Sequence, residues 1–171
     1  MLSLATWATA VALTLGTGVT PMDAGALLEA STRHVRTNDR GMQGLLRIGY
    51  QHSPTFAALL ARLQQSDVYV YVEDVPRLPG SLEGRLVVLP PTHGFRYVRI
   101  QIVRRGTPSE SIAVLGHELR HAVEVANASG VLDDQGLVAL YRRIGIDRGN
   151  NEFDTIEAQE TGRQVLKELV A

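Results

Sequence analysis

The residues most able to do chemistry lie in one short stretch, which carries the pattern His-Glu-x-x-His at positions 117 to 121. Residues four apart share a helix face, so His117 and His121 can point ring nitrogens at one metal ion, with Glu118 beside that ion. A zinc ion held by imidazoles and a carboxylate keeps an open position for water and lowers the pKa of that water to roughly 7. Glu118 is then placed to accept the proton. With five His and ten Glu in 171 residues, chance would give the pattern in about 0.008 of shuffled chains.

Two histidines do not complete a catalytic zinc site, so we expect a third protein ligand. No histidine follows His121 and the chain has no cysteine, which leaves a carboxylate. Acidic residues cluster where the last helix is predicted to start, and there Asp154 and Glu157 lie one helical turn apart on one face. Spacing does not separate these two, and either could instead cap the helix. Glu152 and Glu124 are lesser alternatives.

Two further residues are assigned supporting roles near the predicted zinc ion. Glu124 fits better as the acceptor for the other ring N–H of a zinc-bound histidine than as a ligand. Tyr141 follows the motif helix and is considered as an oxyanion stabiliser, although a tyrosine in such a place is more commonly a core residue. We interpret His52 as a local hydrogen-bonding residue and His93 as a solvated residue of a loop.

The motif lies in a well-delimited predicted helix. Thr107 and Glu110 form a capping box, with Pro108 at the first helical position. Gly130 is a natural stop. Between these limits, five apolar residues recur at helical spacing and predict a core stripe opposite the histidines: Ile112, Leu115, Leu119, Val123 and Ala126.

The remaining elements predict an α+β fold. Alternating apolar residues indicate strands over 67–73, 85–89 and 95–103, and the short Pro/Gly loops between them favour an antiparallel, or else mixed, sheet of about three strands packed on helices. Helices are predicted from about residue 45, from the cap Ser53, over 132–144 and over 154–170. The last of these has Asp154 as its predicted cap, with Glu157 completing a second capping box.

The N-terminal segment differs in composition from the rest of the chain. No charge precedes Asp23, and an apolar run followed by Ala24-Gly25-Ala26 indicates a signal peptide over residues 1–26, although a positive n-region is missing. A misplaced start codon or a core helix is the alternative. We expect residues 27–171 to form a single domain that is exported, periplasmic or secreted, without a stable membrane anchor after cleavage; the other location considered is cytoplasmic. A net charge of −1 gives no basic surface that would indicate nucleic-acid binding.

Residues 115–125 resemble the active-site helix of the zincin metallopeptidases, and with a distant downstream carboxylate they resemble the gluzincin branch. More narrowly, residues 53–56, 66–72, 96–100, the motif and Phe153-Asp154-Thr155 resemble a family of small, uncharacterised, mainly exported bacterial proteins with this motif. The resemblance covers about residues 41–170. That family tends to have Phe-Glu-Thr where this chain has Phe-Asp-Thr. If its glutamate is the zinc ligand, Asp154 inherits the role with a side chain shorter by one methylene, or Glu157 takes it over.

The resemblance implies a zinc-dependent peptidase that cleaves a peptide or protein substrate, with Glu118 as general base. It also implies that an edge strand of the sheet binds an extended peptide beside the metal-bearing helix, and residues 95–103 are the predicted edge. The alternative is a non-catalytic binding or structural module on a zincin-like scaffold. The intact Glu118 argues against that alternative, because a purely structural zinc site has no use for a base beside the metal.

Overall fold

The structure is a computed structural model and describes residues 32–149 and 152–171. These residues form an α+β fold with five helices and a four-stranded mixed sheet. The helices are α1 (Arg40–His52), α2 (Pro54–Gln64), α3 (Pro108–Ala126), α4 (Asp134–Ile144) and α5 (Ile156–Val170). The strands are β1 (Val35–Arg36), β2 (Val68–Asp74), β3 (Gly84–Thr92), β4 (Phe95–Ile102), β5 (Ile146–Gly149) and β6 (Glu152–Asp154). The predicted signal peptide over residues 1–26 lies outside the described residues.

The order of strands in the main sheet is β1-β2-β4-β3. Strand β2 is parallel to both β1 and β4, and only β3 and β4 are antiparallel. The predicted alternative of a mixed sheet is therefore confirmed, with four strands rather than about three, and the favoured antiparallel arrangement is wrong. The predicted edge over residues 95–103 is also wrong, because β4 lies between two neighbours. Within the described residues, β3 is the edge strand on this side. Alternation predicts which face of a strand is buried, but it does not specify the neighbouring strand.

One face of the sheet is buried and forms one side of the hydrophobic core. Val70 pairs with Val98 and Val72 with Ile100, so the apolar residues of β2 and β4 face the same side and are almost completely buried. Helices α2 and α3 cover that side with fully buried residues: Phe56, Leu60, Leu63, Ile112, Leu115 and Leu119. The strand pattern thus gives α3 a rigid surface on which to pack.

Helix α3 begins as predicted. The Thr107 hydroxyl accepts a hydrogen bond from the Glu110 backbone N–H at 3.2 Å, and the Glu110 carboxylate accepts one from the Thr107 backbone N–H at 2.6 Å. Both bonds satisfy backbone donors that the first turn of a helix leaves without partners. The capping box is therefore confirmed.

The other end of α3 is held by a side chain from the sheet. The helix ends at Ala126, before the predicted stop at Gly130. The buried Arg96 guanidinium of β4 donates to the carbonyls of Val125, Ala126 and Ala128 and forms a two-pronged ion pair with Asp67. A cation at a helix C-terminus is favoured by the helix dipole as well as by these bonds.

The starts of α1, α2 and α4 can also be compared with their predictions. Helix α1 begins at Arg40 with Asp39 as its N-cap, earlier than predicted. Ser53 caps α2 as predicted, through a bond from the Phe56 backbone N–H. Asp133 caps α4. None of the described helices has both the length and the apolar character needed to cross a membrane.

Candidate metal centre

Helix α3 presents both motif histidines on one side, as the four-residue spacing predicts. The two Nε2 atoms lie 3.2 Å apart. The His121 side chain is buried, whereas the His117 side chain is 25% exposed. The pair therefore has a covered inner member, His121, and an outer member, His117, that solvent can reach.

Asp154 of β6 joins the two histidines. Its Oδ1 atom lies 3.4 Å from His117 Nε2 and 3.7 Å from His121 Nε2. Across residues 32–149 and 152–171, these three are the one group of His, Asp and Glu side chains placed to hold a metal ion. Glu157 is exposed on α5 and is not a member of that group. The side chain of Glu152 is not among those described.

The predicted helical setting of Asp154 is wrong. Helix α5 begins at Ile156, and its N-cap is Thr155, whose hydroxyl accepts a hydrogen bond from the Ala158 backbone N–H. Aspartate and threonine are both good N-caps, so the sequence pattern allowed either. The shift by one residue leaves Asp154 at the end of a strand, and it is therefore not on a shared helix face with Glu157.

The spacing of the three ligand atoms fits a zinc ion. Nitrogen and oxygen ligands lie about 2.0–2.2 Å from zinc in a tetrahedral site, so two such ligand atoms are about 3.3–3.6 Å apart. The three separations here are 3.2, 3.4 and 3.7 Å. Two imidazoles and one carboxylate are also a donor set that suits zinc and leaves a fourth position open.

A chain of hydrogen bonds links His121 to Thr155, the N-cap of α5. With its proton on Nδ1, His121 donates to Glu124 Oε2 at 2.9 Å, which leaves the Nε2 lone pair for a metal. The other oxygen of Glu124 accepts a bond from the Thr155 hydroxyl at 2.8 Å. The predicted position of Glu124 behind a histidine is thus the one the structure shows.

The Asp154 carboxylate is held by two neighbours on its own side of the site. Its Oδ1 atom accepts a bond from the Thr155 backbone N–H at 2.7 Å, and its Oδ2 atom accepts one from the Gln159 side-chain amide at 2.9 Å. These bonds fix the carboxylate plane and point Oδ1 at the histidines. Thr155 therefore touches both halves of the site, Asp154 through its backbone and Glu124 through its hydroxyl.

Glu118 is buried beside the histidines and against strand β3. Burial raises the pKa of its carboxyl to about 7, and Asp154 and Glu124 add to this effect while His121 opposes it. Gly84, the first residue of β3, allows the close approach: a Cβ at this position would lie 2.5 Å from Glu118 Oε1. A carboxyl with a pKa near neutral can both accept and donate a proton at physiological pH.

The surroundings of His121 favour positive charge. Burial alone would lower the pKa of His121, but Glu124, Glu118 and Asp154 outweigh it, and the pKa is raised. The acidic groups of Glu124, Glu118 and Asp154 thus favour a cation beside His121 in a covered site. A divalent cation would satisfy this preference at the same atoms that a proton occupies.

Tyr141 of α4 lies beside the site. Its ring packs edge-on against His121 with centroids 5.3 Å apart and stacks on Phe153 at 6.3 Å. Its hydroxyl is buried and has no hydrogen-bond partner in the described part of the chain. Burial, with the nearby carboxylates Glu124, Glu118 and Asp154, raises the pKa of this hydroxyl, so it stays protonated and able to donate. Its role as an oxyanion stabiliser stays a prediction.

Three residues of the site were missed by sequence reasoning. Thr155 had a detectable signal, since a threonine just before a helical run is a common N-cap. Gly84 and Gln159 gave no such signal, because their importance depends on which elements pack together.

Comparison with known proteins finds no relative: no family model, no curated protein and no solved structure matches this chain.

Proposed function

We propose that the protein is a zinc-dependent hydrolase, most specifically a peptidase with a zincin-like arrangement that cleaves a peptide or protein substrate. One observation carries the proposal: a buried Glu118 lies beside three ligand atoms, from His117, His121 and Asp154, whose spacing suits zinc. A site that only stabilises the fold would have its metal fully enclosed by protein ligands. Here three ligands leave a position open next to a base.

The residues divide the chemistry between them. A bound zinc ion supplies Lewis acidity towards the scissile carbonyl and lowers the pKa of water to roughly 7. Glu118 accepts a proton from the attacking water as the carbon–oxygen bond forms. It then donates that proton to the amine nitrogen as the carbon–nitrogen bond breaks, so the carboxylate is regenerated. Glu124 keeps His121 in the tautomer that leaves Nε2 free.

The substrate backbone is expected along strand β3. This strand pairs with β4 on one side, and its first residue, Gly84, lies against Glu118. An extended peptide that forms main-chain hydrogen bonds with the edge of β3 would pass close to Glu118, the proposed base. The proposed peptide-binding edge is therefore residues 84–92 rather than the strand favoured by sequence reasoning.

The test compares the parent protein with Glu118→Gln in zinc-loaded form on a mixture of peptides, with fragments identified by mass spectrometry. The substitution preserves shape but removes the base, so turnover should fall by about 10²–10⁴-fold or more, while zinc content remains that of the parent. Glu160→Gln, an exposed change on α5, is the matched control and should leave turnover unchanged.

Two results would contradict the proposal. Equal turnover by Glu118→Gln and the parent would remove Glu118 from the reaction. Full zinc loading of the parent with no cleavage of any peptide or protein would instead favour the binding or structural module.

A further inference from the structure

The face of the sheet that points away from α2 and α3 carries a group of aromatic side chains. Successive side chains of a strand point to opposite faces, so the residues between the buried ones of β2 and β4 lie on this outer face. Four of the nine Phe, Trp and Tyr residues of the chain are among them: Tyr69, Tyr71, Phe95 and Tyr97. These four rings are not part of the hydrophobic core.

The rings of the outer face hold one another in position. His34, just before β1, stacks on Tyr69 with ring centroids 4.1 Å apart, and Tyr69 stacks on Tyr97 at 5.6 Å. Tyr71 stacks on Tyr97 at 6.3 Å, with 15° between the ring planes. The Arg36 guanidinium lies 4.6 Å from the centre of the Tyr69 ring. Tyr71 is thus supported by its neighbour, while 37% of its surface is accessible.

A cleft of about 680 Å³ opens beside Tyr71. It is lined by Arg36, residues 37–39, residues 71–74, Leu89 and Arg99. Its volume lies in the range of pockets that receive small molecules, roughly 300–1,000 Å³. None of the residues of the candidate metal centre lines it, and the helix that carries the two histidines packs on the opposite face of the sheet. The cleft is therefore separate from the metal centre.

The charges around this cleft balance. Three guanidinium groups and three carboxylates line it or pair with a lining residue: Arg36, Arg99, Arg104, Asp39, Glu73 and Asp74. Contacts within the protein hold the acidic groups in place. Arg99 pairs with Glu73 at 3.2 Å, and the Asp39 carboxylate accepts a hydrogen bond from the Met42 backbone N–H at 2.7 Å. The cleft thus combines donors and acceptors with no excess of either charge.

We propose that this cleft binds an uncharged sugar, a pyranose ring of an oligosaccharide that packs on Tyr71. One face of a pyranose carries C–H groups and packs on the flat side of an aromatic ring, because both surfaces are apolar. The hydroxyls around the edge of the sugar both donate and accept hydrogen bonds. Arg36 and Arg99 can donate to them and Glu73 can accept from them, and hydrogen bonds to charged groups are stronger than neutral ones.

Other classes of ligand fit these walls less well. A nucleic acid needs an excess of positive charge for its phosphates, and the carboxylates of the cleft cancel the guanidinium groups. An apolar ligand would cover charged groups without giving them hydrogen bonds, which costs free energy. A sugar avoids both penalties, because it is uncharged and carries donors and acceptors around an apolar face.

The first test is a titration of the full chain with three uncharged hexasaccharides: cellohexaose, maltohexaose and chitohexaose. They differ in linkage and in the acetamido group but share the pyranose ring. We expect saturable binding of at least one of them at one site per chain, with a Kd below about 1 mM by isothermal titration calorimetry. Absence of binding to all three, and to an array of neutral glycans, would overturn the proposal.

Matched substitutions of aromatic residues locate the bound sugar. Tyr71→Ala removes the ring and should weaken binding about tenfold or more, whereas Tyr71→Phe keeps the ring and should retain the binding of the parent. Phe95→Ala is the control, because its ring is about as exposed on the same face of the sheet but lies outside the cleft. An equal Kd for the parent and Tyr71→Ala would contradict the site.

A second pair of variants keeps the proposal testable if Tyr71→Ala fails to fold. Arg99→Gln removes a charged donor from the cleft and should weaken binding about fivefold. Arg85→Gln is its control, since Arg85 is exposed on the same face of the sheet but does not line the cleft. Equal losses in these two variants would indicate a general effect of charge and overturn the cleft.

Glu118→Gln separates the cleft from the metal centre. This variant should bind the hexasaccharide as tightly as the parent, with or without zinc, because the two sites lie on opposite faces of the sheet. Binding that is lost in Glu118→Gln but kept in Tyr71→Ala would place the sugar at the metal centre and overturn the cleft. The proposed peptidase is tested by turnover alone, so either proposal can fail without the other.

Discussion

The histidines and the aspartate of the candidate metal centre are supported in different ways. His117 and His121 lie on a helix fixed at its start by the Thr107 capping box and at its end by Arg96 of the sheet. Asp154 ends the short strand β6, and hydrogen bonds from Thr155 and Gln159 orient its carboxylate. The position of the histidine pair therefore depends on how the helix packs in the fold, whereas the position of the aspartate carboxylate depends on a few local hydrogen bonds. Substitutions that remove the supports of the histidine helix should destabilise the fold, and substitutions that remove the supports of the aspartate should weaken metal binding.

The largest effect on stability is expected from Arg96→Ala. It removes a buried cation that pairs with Asp67 and caps three carbonyls at the end of α3. Loss of the guanidinium leaves these carbonyls without its hydrogen bonds and should cost about 3 kcal/mol in the free energy of unfolding, measured by urea denaturation. Arg99→Ala is the control, because its pair with Glu73 is more than 40% exposed on both sides and is worth about 1 kcal/mol at most. Similar losses for the two variants would contradict the role given to Arg96.

A medium effect, on metal affinity, is expected from Thr155→Val. The change keeps the shape of the side chain but removes the hydroxyl that donates to Glu124 and caps α5. Zinc affinity, measured by competition with a chelator, should fall about 10–100-fold, and the free energy of unfolding of the zinc-free protein by about 1 kcal/mol. Thr155→Ser should restore both. A loss of stability with zinc affinity unchanged would reduce Thr155 to a helix cap.

The smallest effect is expected from Glu168→Gln, at the far end of α5. Burial acts to raise the pKa of Glu168, but hydrogen bonds from Ser53, Gln164 and Thr55 outweigh it and lower the pKa to about 2. A depressed carboxyl pKa stabilises the fold above the ordinary value of 4.5, and this contribution is lost as pH falls through about 2. The variant should be less stable by about 1 kcal/mol at neutral pH.

Thermal unfolding across pH checks this last prediction. The difference between parent and variant should shrink as pH falls from 4.5 towards 2. Curves that stay equally far apart over that range would show that the charge of Glu168 makes no contribution.

The same contrast explains what the sequence predicted. The positions of the two histidines and Glu118 follow from periodicity within one helix, and the Thr107 cap is equally local. The neighbours of β4 and the start of α5 are different. Strand order depends on which apolar faces cover each other, and one residue decides whether Asp154 caps a helix or ends a strand. The roles of Gly84 and Gln159 depend on how β3 and α5 pack against the site, so they could not be predicted from the sequence.

Zinc content of the purified protein tests the central claim most directly. The parent, Asp154→Ala and Glu157→Ala are loaded with zinc, passed through a chelating column and measured by atomic emission. We predict one zinc ion per chain in the parent and in Glu157→Ala, and loss of that zinc in Asp154→Ala. Full zinc content in Asp154→Ala, or none in the parent after loading, would contradict a centre built from His117, His121 and Asp154.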